Sequence, residues 1–277
     1  AFAAAKRFLS YLPSNADELP ARITPTDDPD RREEMLIDIV PKDGKTPYKP
    51  RRIIDAVFDA DSFFETGEYW GRPVVTGLAR MDGYPVAVIA GDPFFMDGAW
   101  TADACEKIIR LVDLAETFHL PIIHLVDCPG FAVGVKHERA GVTRMGVRVM
   151  AAMYQATVPI CPVVIRKAYG LAGSAMFNPT RTRWRYCWPS GDWGSLPMAG
   201  GIEAAYKRQL EASPDPEKEL KELYAKFEAM RSPFRTADAF IAEEIIDPRD
   251  TRPLLCDFAH HAYRILKPGR RSFGMRP

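Results

Sequence analysis

Glycine-rich backbone just after two apolar strands is the feature of this sequence best suited to chemistry. The first such segment is Pro129-Gly130-Phe131 with Gly134, and the second is Gly170-Leu171-Ala172-Gly173. Small residues let the main chain approach a ligand, and amides at a following helix N-terminus point at developing negative charge. Backbone donors arranged in this way form an oxyanion hole. A second interpretation stays open at this stage, in which these glycines only turn the chain between strand and helix.

Side-chain chemistry has less support in the sequence. It contains no GxSxG, HExxH, Walker or GxGxxG motif, which argues against the familiar hydrolases and nucleotide-binding enzymes. The five histidines are scattered, and we expect packing or surface roles for them; His137, which follows the Pro129-Gly130 loop, is the best candidate base. The five cysteines have neither a CxxC pair nor a nearby histidine at metal-ligand spacing. They predict buried thiols in the cytoplasm and no structural zinc or catalytic metal.

Two strand-loop-helix repeats position the glycine-rich segments. A strand at 122–126 leads to a loop that begins at Asp127, and a second strand, at 160–165, leads to a loop over 167–173. A helix near 141–156 lies between them. Such repetition predicts parallel βαβ units in an α/β protein, in which reactive groups collect at the carboxyl ends of the strands.

Local signals define the neighbouring elements. Two β-rich runs flank a Met81-Asp82-Gly83 turn and predict a hairpin, and Thr101 is a plausible N-cap for a helix that ends at Leu120-Pro121. The charged segment Pro214 to Arg231 predicts a solvated helix with one packing face. Pro13 to Pro50 is rich in proline and predicts an extended surface arm rather than core. We therefore divide the chain into an N-terminal helix and arm, 1–50, and one domain, 51–277.

Composition limits the partners. Lys+Arg and Asp+Glu both number 37 in 277 residues, so the basic excess that favours nucleic acid is missing. No run approaches eighteen apolar residues, and we expect no membrane span. Ala1 in place of methionine predicts processing, or a chain that is part of something longer.

Three sequence blocks carry a resemblance to a known protein family. Asp127–Phe131 is similar to a DxPGF block, Gly141–Pro159 to a G…EATVP block, and Arg166–Gly170 to an RKAYGGAY block. These blocks are typical of the carboxyltransferase β subunits of biotin-dependent acyl-CoA carboxylases, such as propionyl-CoA and acetyl-CoA carboxylase. The likeness covers almost the whole chain, including Leu36–Pro41 and Ile245–Arg252. It implies a crotonase-like spiral of βαβ units.

The resemblance also implies a function. The family's subunits have two crotonase-like halves, of which the first binds acyl-CoA and the second binds carboxybiotin, and this chain resembles the second. Biotin on a carrier domain and a coenzyme A thioester are then the cofactor and the substrate. The implied partners are the acyl-CoA-binding half, a biotin carboxylase and a biotin carrier subunit, within an oligomer. The chain alone would be an incomplete enzyme.

Carried over by position, the family's site falls on backbone. The resemblance implies that the amides of Leu171 and Ala172 stabilise the biotin oxygen, with Gly170 shaping the turn. The implied pocket residues are Pro129, Gly130, Phe131, Gly134, Tyr169, Gly173 and Ser174. Leu171 replaces a glycine of the family pattern, and Gly173-Ser174 replaces its Tyr-Asp pair, so the acyl substrate stays open. Two alternatives stay open as well, a decarboxylase of the same fold and a non-catalytic assembly scaffold.

Overall fold

Apolar runs separated by turn residues divide the chain into alternating strands and helices. The computed structural model describes residues 2–25, 27–175, 184–194 and 201–271. The strands within these ranges are β1 (Phe64–Thr66), β2 (Val74–Met81), β3 (Tyr84–Gly91), β4 (Ile122–Cys128), β5 (Ile160–Tyr169), β6 (Tyr186–Cys187), β7 (Asp192–Gly194) and β8 (Glu244–Ile245). The helices are α1 (Phe2–Leu9), α2 (Pro50–Val57), α3 (Ala102–Phe118), α4 (Val135–Arg139), α5 (Val142–Gln155), α6 (Gly170–Ala175), α7 (Gly201–Ala205), α8 (Lys207–Ala212), α9 (Pro216–Arg231), α10 (Pro233–Asp238) and α11 (Thr251–Ile265).

The described strands form a single mixed sheet in the order β1-β2-β3-β4-β5-β6-β8, with β7 also paired to β5. β1, β2 and β3 are antiparallel, whereas the pairs from β3 to β8 are parallel. At the β2–β3 turn, Asp82 and Gly83 have φ of 49° and 78°, the two positive values that a tight type I′ hairpin requires. The predicted hairpin and the predicted parallel units are both confirmed.

Helices cover both faces of the sheet because alternate strand residues point to opposite sides. In β3, Ile89 belongs to the buried cluster that contains α3 and α5, whereas Val88 belongs to the cluster that contains α2 and α11. Full burial of one such side chain contributes about 1.5–3 kcal/mol. The central strands are therefore apolar on both faces, as expected for the buried part of an α/β sheet.

Local residues define the helix ends. Thr101 Oγ1 accepts a hydrogen bond from the N–H of Ala104 at 3.2 Å, so it caps α3 as expected. His119 ends that helix in the left-handed conformation, with φ of 59°. Asp215 caps α9 by accepting from the N–H of Lys218. No helix within the described ranges is both long and apolar enough to span a bilayer.

The arm preceding α2 contributes to the core, so the prediction of a purely superficial arm is wrong. Leu36 and Tyr48 are buried in the cluster on the α11 side of the sheet. The fully buried guanidinium of Arg252, in α11, donates from Nε to the carbonyl oxygen of Asp28 at 2.7 Å. Its Nη2 donates to Asp59 Oδ1 at 2.9 Å. The arm is thereby fastened to α11, the last helix within the described ranges.

Candidate active site

β4 and β5 lose their regular pairing near their carboxyl ends. Val126 pairs with Val164, yet Cys128 pairs with Ala168, so residues 165–167 of β5 lie opposite Asp127 alone. A bulge of this kind bends the strand and redirects its side chains, and bulges are common beside active sites. The irregularity lies where the two predicted loops were expected to meet.

The carboxylate of Asp127 accepts a backbone hydrogen bond where the regular pairing of β4 and β5 is interrupted. Its Oδ1 accepts the N–H of Lys167 at 3.0 Å, and its Oδ2 pairs with Arg166 Nη2 at 3.0 Å. The side chains of Asp127 and Arg166 are only 1% and 3% exposed. Burial lowers the pKa of Arg166, but the charge and hydrogen bonds of Asp127 outweigh burial and raise that pKa above its ordinary value. The predicted adjacency of Asp127 and Lys167 is confirmed, although both residues lie in strands and not in loops.

The arm packs against this ion pair. Arg166 Nη1 donates to the carbonyl oxygen of Thr46 at 3.0 Å, and its guanidinium lies 5.0 Å from the ring centre of Tyr48. Burial raises the pKa of Tyr48 well above its ordinary value, and the charge of Asp127 adds to that effect. Tyr48 is therefore a neutral phenol that covers the buried charges.

An open cavity of about 1060 Å³ lies between the arm, the carboxyl ends of β4 and β5, and the end of α9. Charged side chains of both signs line it, together with proline and aromatic surfaces. The lining residues used below are Asp97, Pro129, Arg166, Lys167, Tyr169, Asp192 and Arg231. A cavity of this size can hold a ligand of cofactor dimensions.

One wall of the cavity is an ion pair between Lys167 and Asp97. Lys167 Nζ lies 2.5 Å from Asp97 Oδ2. Met96 and Asp97 are consecutive non-glycine residues with positive φ, 52° and 56°. Residues other than glycine rarely adopt this backbone conformation. The left-handed turn directs Asp97 across the cavity towards Lys167.

A second polar network lies at the end of β5. The hydroxyl of Tyr169 donates to Asp192 Oδ2 and accepts from Arg231 Nη2 at 2.8 Å. Arg231 Nε donates to Asp192 Oδ1 at 2.5 Å. Burial raises the pKa of Tyr169 to about 12, so its hydroxyl keeps its proton. The network joins the last residues of β5 and α9 through the first residue of β7.

The second glycine-rich segment is a helix and not the predicted loop. β5 continues to Tyr169, and α6 begins at once with Gly170, whose φ is 60°. A Cβ at Gly173 would lie 2.9 Å from the carbonyl carbon of Ala168, so glycine allows α6 to pack closely on β5. Ala172 is fully buried in the core, whereas Leu171 is 60% exposed. Ser174 lies one turn into the same helix.

The first glycine-rich segment runs from the cavity to the surface. Pro129 lines the cavity, and the carbonyl oxygen of Gly130 accepts the N–H of Trp100 at 3.0 Å. The ring of Phe131 packs against α5, where a Cβ at Gly146 would lie 2.5 Å from it. Gly134 lies at the exposed start of α4. Pro129 and Tyr169 thus face the cavity, while Phe131 and Gly134 do not.

Histidine and cysteine have structural positions near the site. Burial lowers the pKa of His124, in β4, to about 3, so this imidazole is neutral. The thiol of Cys128 is buried, and burial raises its pKa well above its ordinary value. His137 lies in α4, partly exposed. Within the described ranges, no three or more His, Cys, Asp or Glu side chains cluster as metal ligands; the expectation of a metal-free protein stays a prediction.

Comparison with known families identifies the family and the fold. The carboxyl transferase domain family matches residues 1–267. The chain belongs to this family. Its crotonase-like α/β fold is shared with the solved carboxyltransferases.

Individual members of the carboxyl transferase family are similar over nearly the whole chain. The carboxyltransferase subunit of propionyl-CoA carboxylase from Haloferax mediterranei is 34% identical over 270 residues, which are 96% of this chain and 51% of that subunit. The methylmalonyl-CoA decarboxylase subunit alpha of Veillonella parvula is 32% identical over 247 residues, 88% of this chain and 47% of that subunit. The crystal structure of the transcarboxylase 12S hexamer, with methylmalonyl-coenzyme A and methylmalonic acid bound, has a TM-score of 0.89 and 31% identity, covering 99% of this chain and 53% of that one.

This carboxyl transferase domain spans about half the length of the curated relatives that it matches, and it corresponds to their C-terminal half. The sequence analysis missed the partners in the two polar networks of the cavity, Asp97, Asp192 and Arg231. Asp97 precedes a glycine in a recognisable turn, which is a usable signal. Arg231 is 62 residues from Tyr169 and lies in a helix whose charges predicted only solvation, so the sequence held no signal for their contact.

Proposed function

We propose that this chain is the carboxybiotin-binding half of an acyl-CoA carboxyltransferase. In this proposal a carboxyl group moves from N-carboxybiotin, carried on a carrier domain, to the α carbon of an acyl-CoA. One observation carries the proposal. The chain matches the C-terminal half of a propionyl-CoA carboxylase carboxyltransferase subunit over 96% of its own length.

The backbone at the start of α6 suits the ureido group of biotin. The first N–H groups of a helix have no carbonyl acceptor one turn earlier, and the helix dipole favours negative charge beside them. Leu171 and Ala172 hold such positions. The close contact between Gly173 and Ala168 fixes α6 against β5, and the exposure of Leu171 leaves this end of the helix accessible. These features support the amides of Leu171 and Ala172 as donors to an oxyanion.

In the proposed mechanism, backbone N–H groups rather than side chains stabilise the developing negative charge. Carboxybiotin, when bound, supplies the carboxyl group and a ureido oxygen on which negative charge develops. The N–H groups of Leu171 and Ala172 donate to that oxygen, and Gly170 provides the positive φ that directs them. Of the expected pocket residues, Pro129 and Tyr169 line the cavity and are proposed to contact biotin, whereas Gly130, Phe131, Gly134, Gly173 and Ser174 are proposed to shape the backbone around it. Preorganised donors of this kind contribute about 10²–10³ in rate each.

The acyl-CoA-binding half is the proposed partner at the face formed by α4, α5 and α6. α4 and α6 both pack against α5. Large aliphatic side chains on this face are exposed, among them Val133, Val135, Val147 and Leu171. Exposed apolar surface of this kind is typical of protein–protein contacts. We extend the proposal to a biotin carboxylase, a biotin carrier subunit and an oligomer.

The same site supports a second candidate function, because a methylmalonyl-CoA decarboxylase subunit is among the similar proteins. In that case the carboxyl group moves from the acyl-CoA to biotin.

The five free cysteines are all buried, which supports the reducing cytoplasm as the compartment for either direction.

Reconstitution tests the proposal. The chain is assembled with its acyl-CoA-binding half, and carboxyl transfer from methylmalonyl-CoA or malonyl-CoA to free biotin is measured, followed by ATP-dependent carboxylation with biotin carboxylase and carrier. We expect transfer only when both halves are present. An assembled complex that transfers in neither direction would refute the proposed function and favour an assembly scaffold.

A further inference from the structure

We propose that Tyr169 is a positioning residue, whose hydroxyl is held by Asp192 and Arg231 so that the peptide leading into α6 keeps one orientation. The catalytic consequence of this inference rests on the proposed function of the Leu171 and Ala172 amides. The structural consequence does not, and it can be measured separately.

The geometry of the network motivates the inference. Tyr169 is the last residue of β5, and the amide of Leu171 follows it by only two residues. Its hydroxyl both donates to Asp192 and accepts from Arg231 at 2.8 Å, so the oxygen has a partner in each role. The ring is held as well, because the residue is only 4% exposed. These contacts restrict the side chain at both ends.

Gly170 lies between Tyr169 and Leu171, and its flexibility is the reason that the chain on either side must be held. Gly170 has no side chain, so its backbone has more conformational freedom than that of any other residue type. On its C-terminal side, α6 is fixed by the buried Ala172 and by the contact of Gly173 with Ala168. On its N-terminal side, the backbone pairing of β5 with β7 and the side chain of Tyr169 hold the chain. The network therefore supplies the side-chain anchor upstream of this flexible position.

The partners of Tyr169 come from distant parts of the chain. Asp192 is the first residue of β7 and lies beside Lys167 of β5, whereas Arg231 is the last residue of α9. The side chains of Asp192 and Arg231 are each 21% exposed, so they are largely shielded from water. Arg231 binds Asp192 through two nitrogens, an arrangement with strong directional preference. The end of α9, which lines the cavity, is thereby coupled to the start of α6.

Three disruptive variants, the conservative variant Arg231→Lys and one matched control test the inference. Tyr169→Phe removes one hydroxyl and leaves the Asp192–Arg231 ion pair intact; Arg231→Met removes the pair, and the double variant removes both. Arg185→Met is the control, because Arg185 forms a comparable two-nitrogen pair with Glu243 on the β6–β8 side, at 12% and 28% exposure. Hydrogen–deuterium exchange is measured by mass spectrometry on peptides that span 168–173, in the assembled protein.

We expect exchange over 170–173 to become roughly tenfold faster in Tyr169→Phe and in Arg231→Met, and to stay unchanged in the control. The double variant should add little to either single change, since all three groups belong to one network. In the reconstituted transfer assay, kcat should fall while KM for the acyl-CoA stays constant, because the perturbed groups act on the biotin side. Arg231→Lys should recover part of the loss.

Separate outcomes distinguish the two proposals. Exchange over 170–173 that is the same in Tyr169→Phe as in Arg185→Met would overturn the positioning role, whatever the activity. Faster exchange in a complex whose wild-type form transfers no carboxyl group would support the positioning role and refute the proposed function. Strictly additive effects of the two single variants would show independent contacts and would also overturn the inference.

Discussion

Loss of the Asp127 carboxylate should be among the most destabilising single changes in this protein. Asp127→Ala leaves the Arg166 guanidinium, which is 3% exposed, with only the half-exposed Asp97 carboxylate at 3.9 Å as a counter-charge, and it leaves the N–H of Lys167 without an acceptor. Breaking a buried ion pair by removing one partner costs about 3–5 kcal/mol. Glu34→Ala is the matched control, because Glu34 is 76% exposed and Arg249 keeps Asp247 as a second partner. Exposed pairs contribute about 0–1 kcal/mol.

Equilibrium unfolding in urea, followed by circular dichroism, measures the difference. We expect the unfolding midpoint to shift strongly for Asp127→Ala and little for Glu34→Ala, with the slope of the transition unchanged. Asp127→Leu combined with Arg166→Met removes both charges at similar total volume and should recover part of the lost free energy of unfolding, although the N–H of Lys167 stays without an acceptor. Equal midpoints for the two alanine variants would refute the argument, as would a double variant less stable than Asp127→Ala.

Three further changes follow from the geometry. Leu171→Pro removes one backbone donor and should lower carboxyl transfer to free biotin by about 10²–10³ relative to Leu171→Gly; equal rates in assembled complexes would contradict the donor assignment. Gly173→Val forces α6 away from Ala168 and should lower the free energy of unfolding by about 1–3 kcal/mol, so an unchanged urea midpoint would argue against close packing there. Burial lowers the pKa of Lys107 from 10.5 to about 8, so between these pH values the unfolded chain binds the additional proton and stability rises with pH. Lys107→Met should abolish that rise, and parallel stability profiles for the two proteins from pH 8 to 10.5 would disprove the assignment.

Elements defined by neighbouring residues could be predicted from the sequence. The cap at Thr101 depends on a hydroxyl three residues from its donor, and the Asp82-Gly83 turn depends on two adjacent residues that tolerate positive φ. The strands around Asp127 and Lys167 were predictable because apolar runs of that length between helices favour parallel pairing. The resemblance to the carboxyltransferase family placed both segments at one site, and their adjacency in the structure agrees.

Features that depend on distant contacts were not predictable. The bulge opposite Asp127 arises from a register shift between two strands, and the strand residues themselves do not encode it. Tyr169 continues β5 because β7 pairs with it, although the Gly170 that follows indicated an earlier turn. The charged segment that ends at Arg231 predicts a solvated helix with one packing face, and nothing in that pattern distinguishes Arg231 from the other charged residues. Its contact with Asp192 exists only after the sheet has formed.

The attachment of the arm to α11 has a consequence for how the protein folds during synthesis. Asp28 and Arg252 are 224 residues apart, yet they are joined by a hydrogen bond that is shielded from water. At roughly 5–20 residues per second, the ribosome completes that interval in about 10–45 s. During that time α11 has not been made, so the side chains of Leu36 and Tyr48 lack part of the apolar cluster in which they are buried in the folded protein. The nascent chain therefore exposes this apolar segment until α11 has been made, and a chaperone that binds extended apolar peptides has that interval in which to bind it.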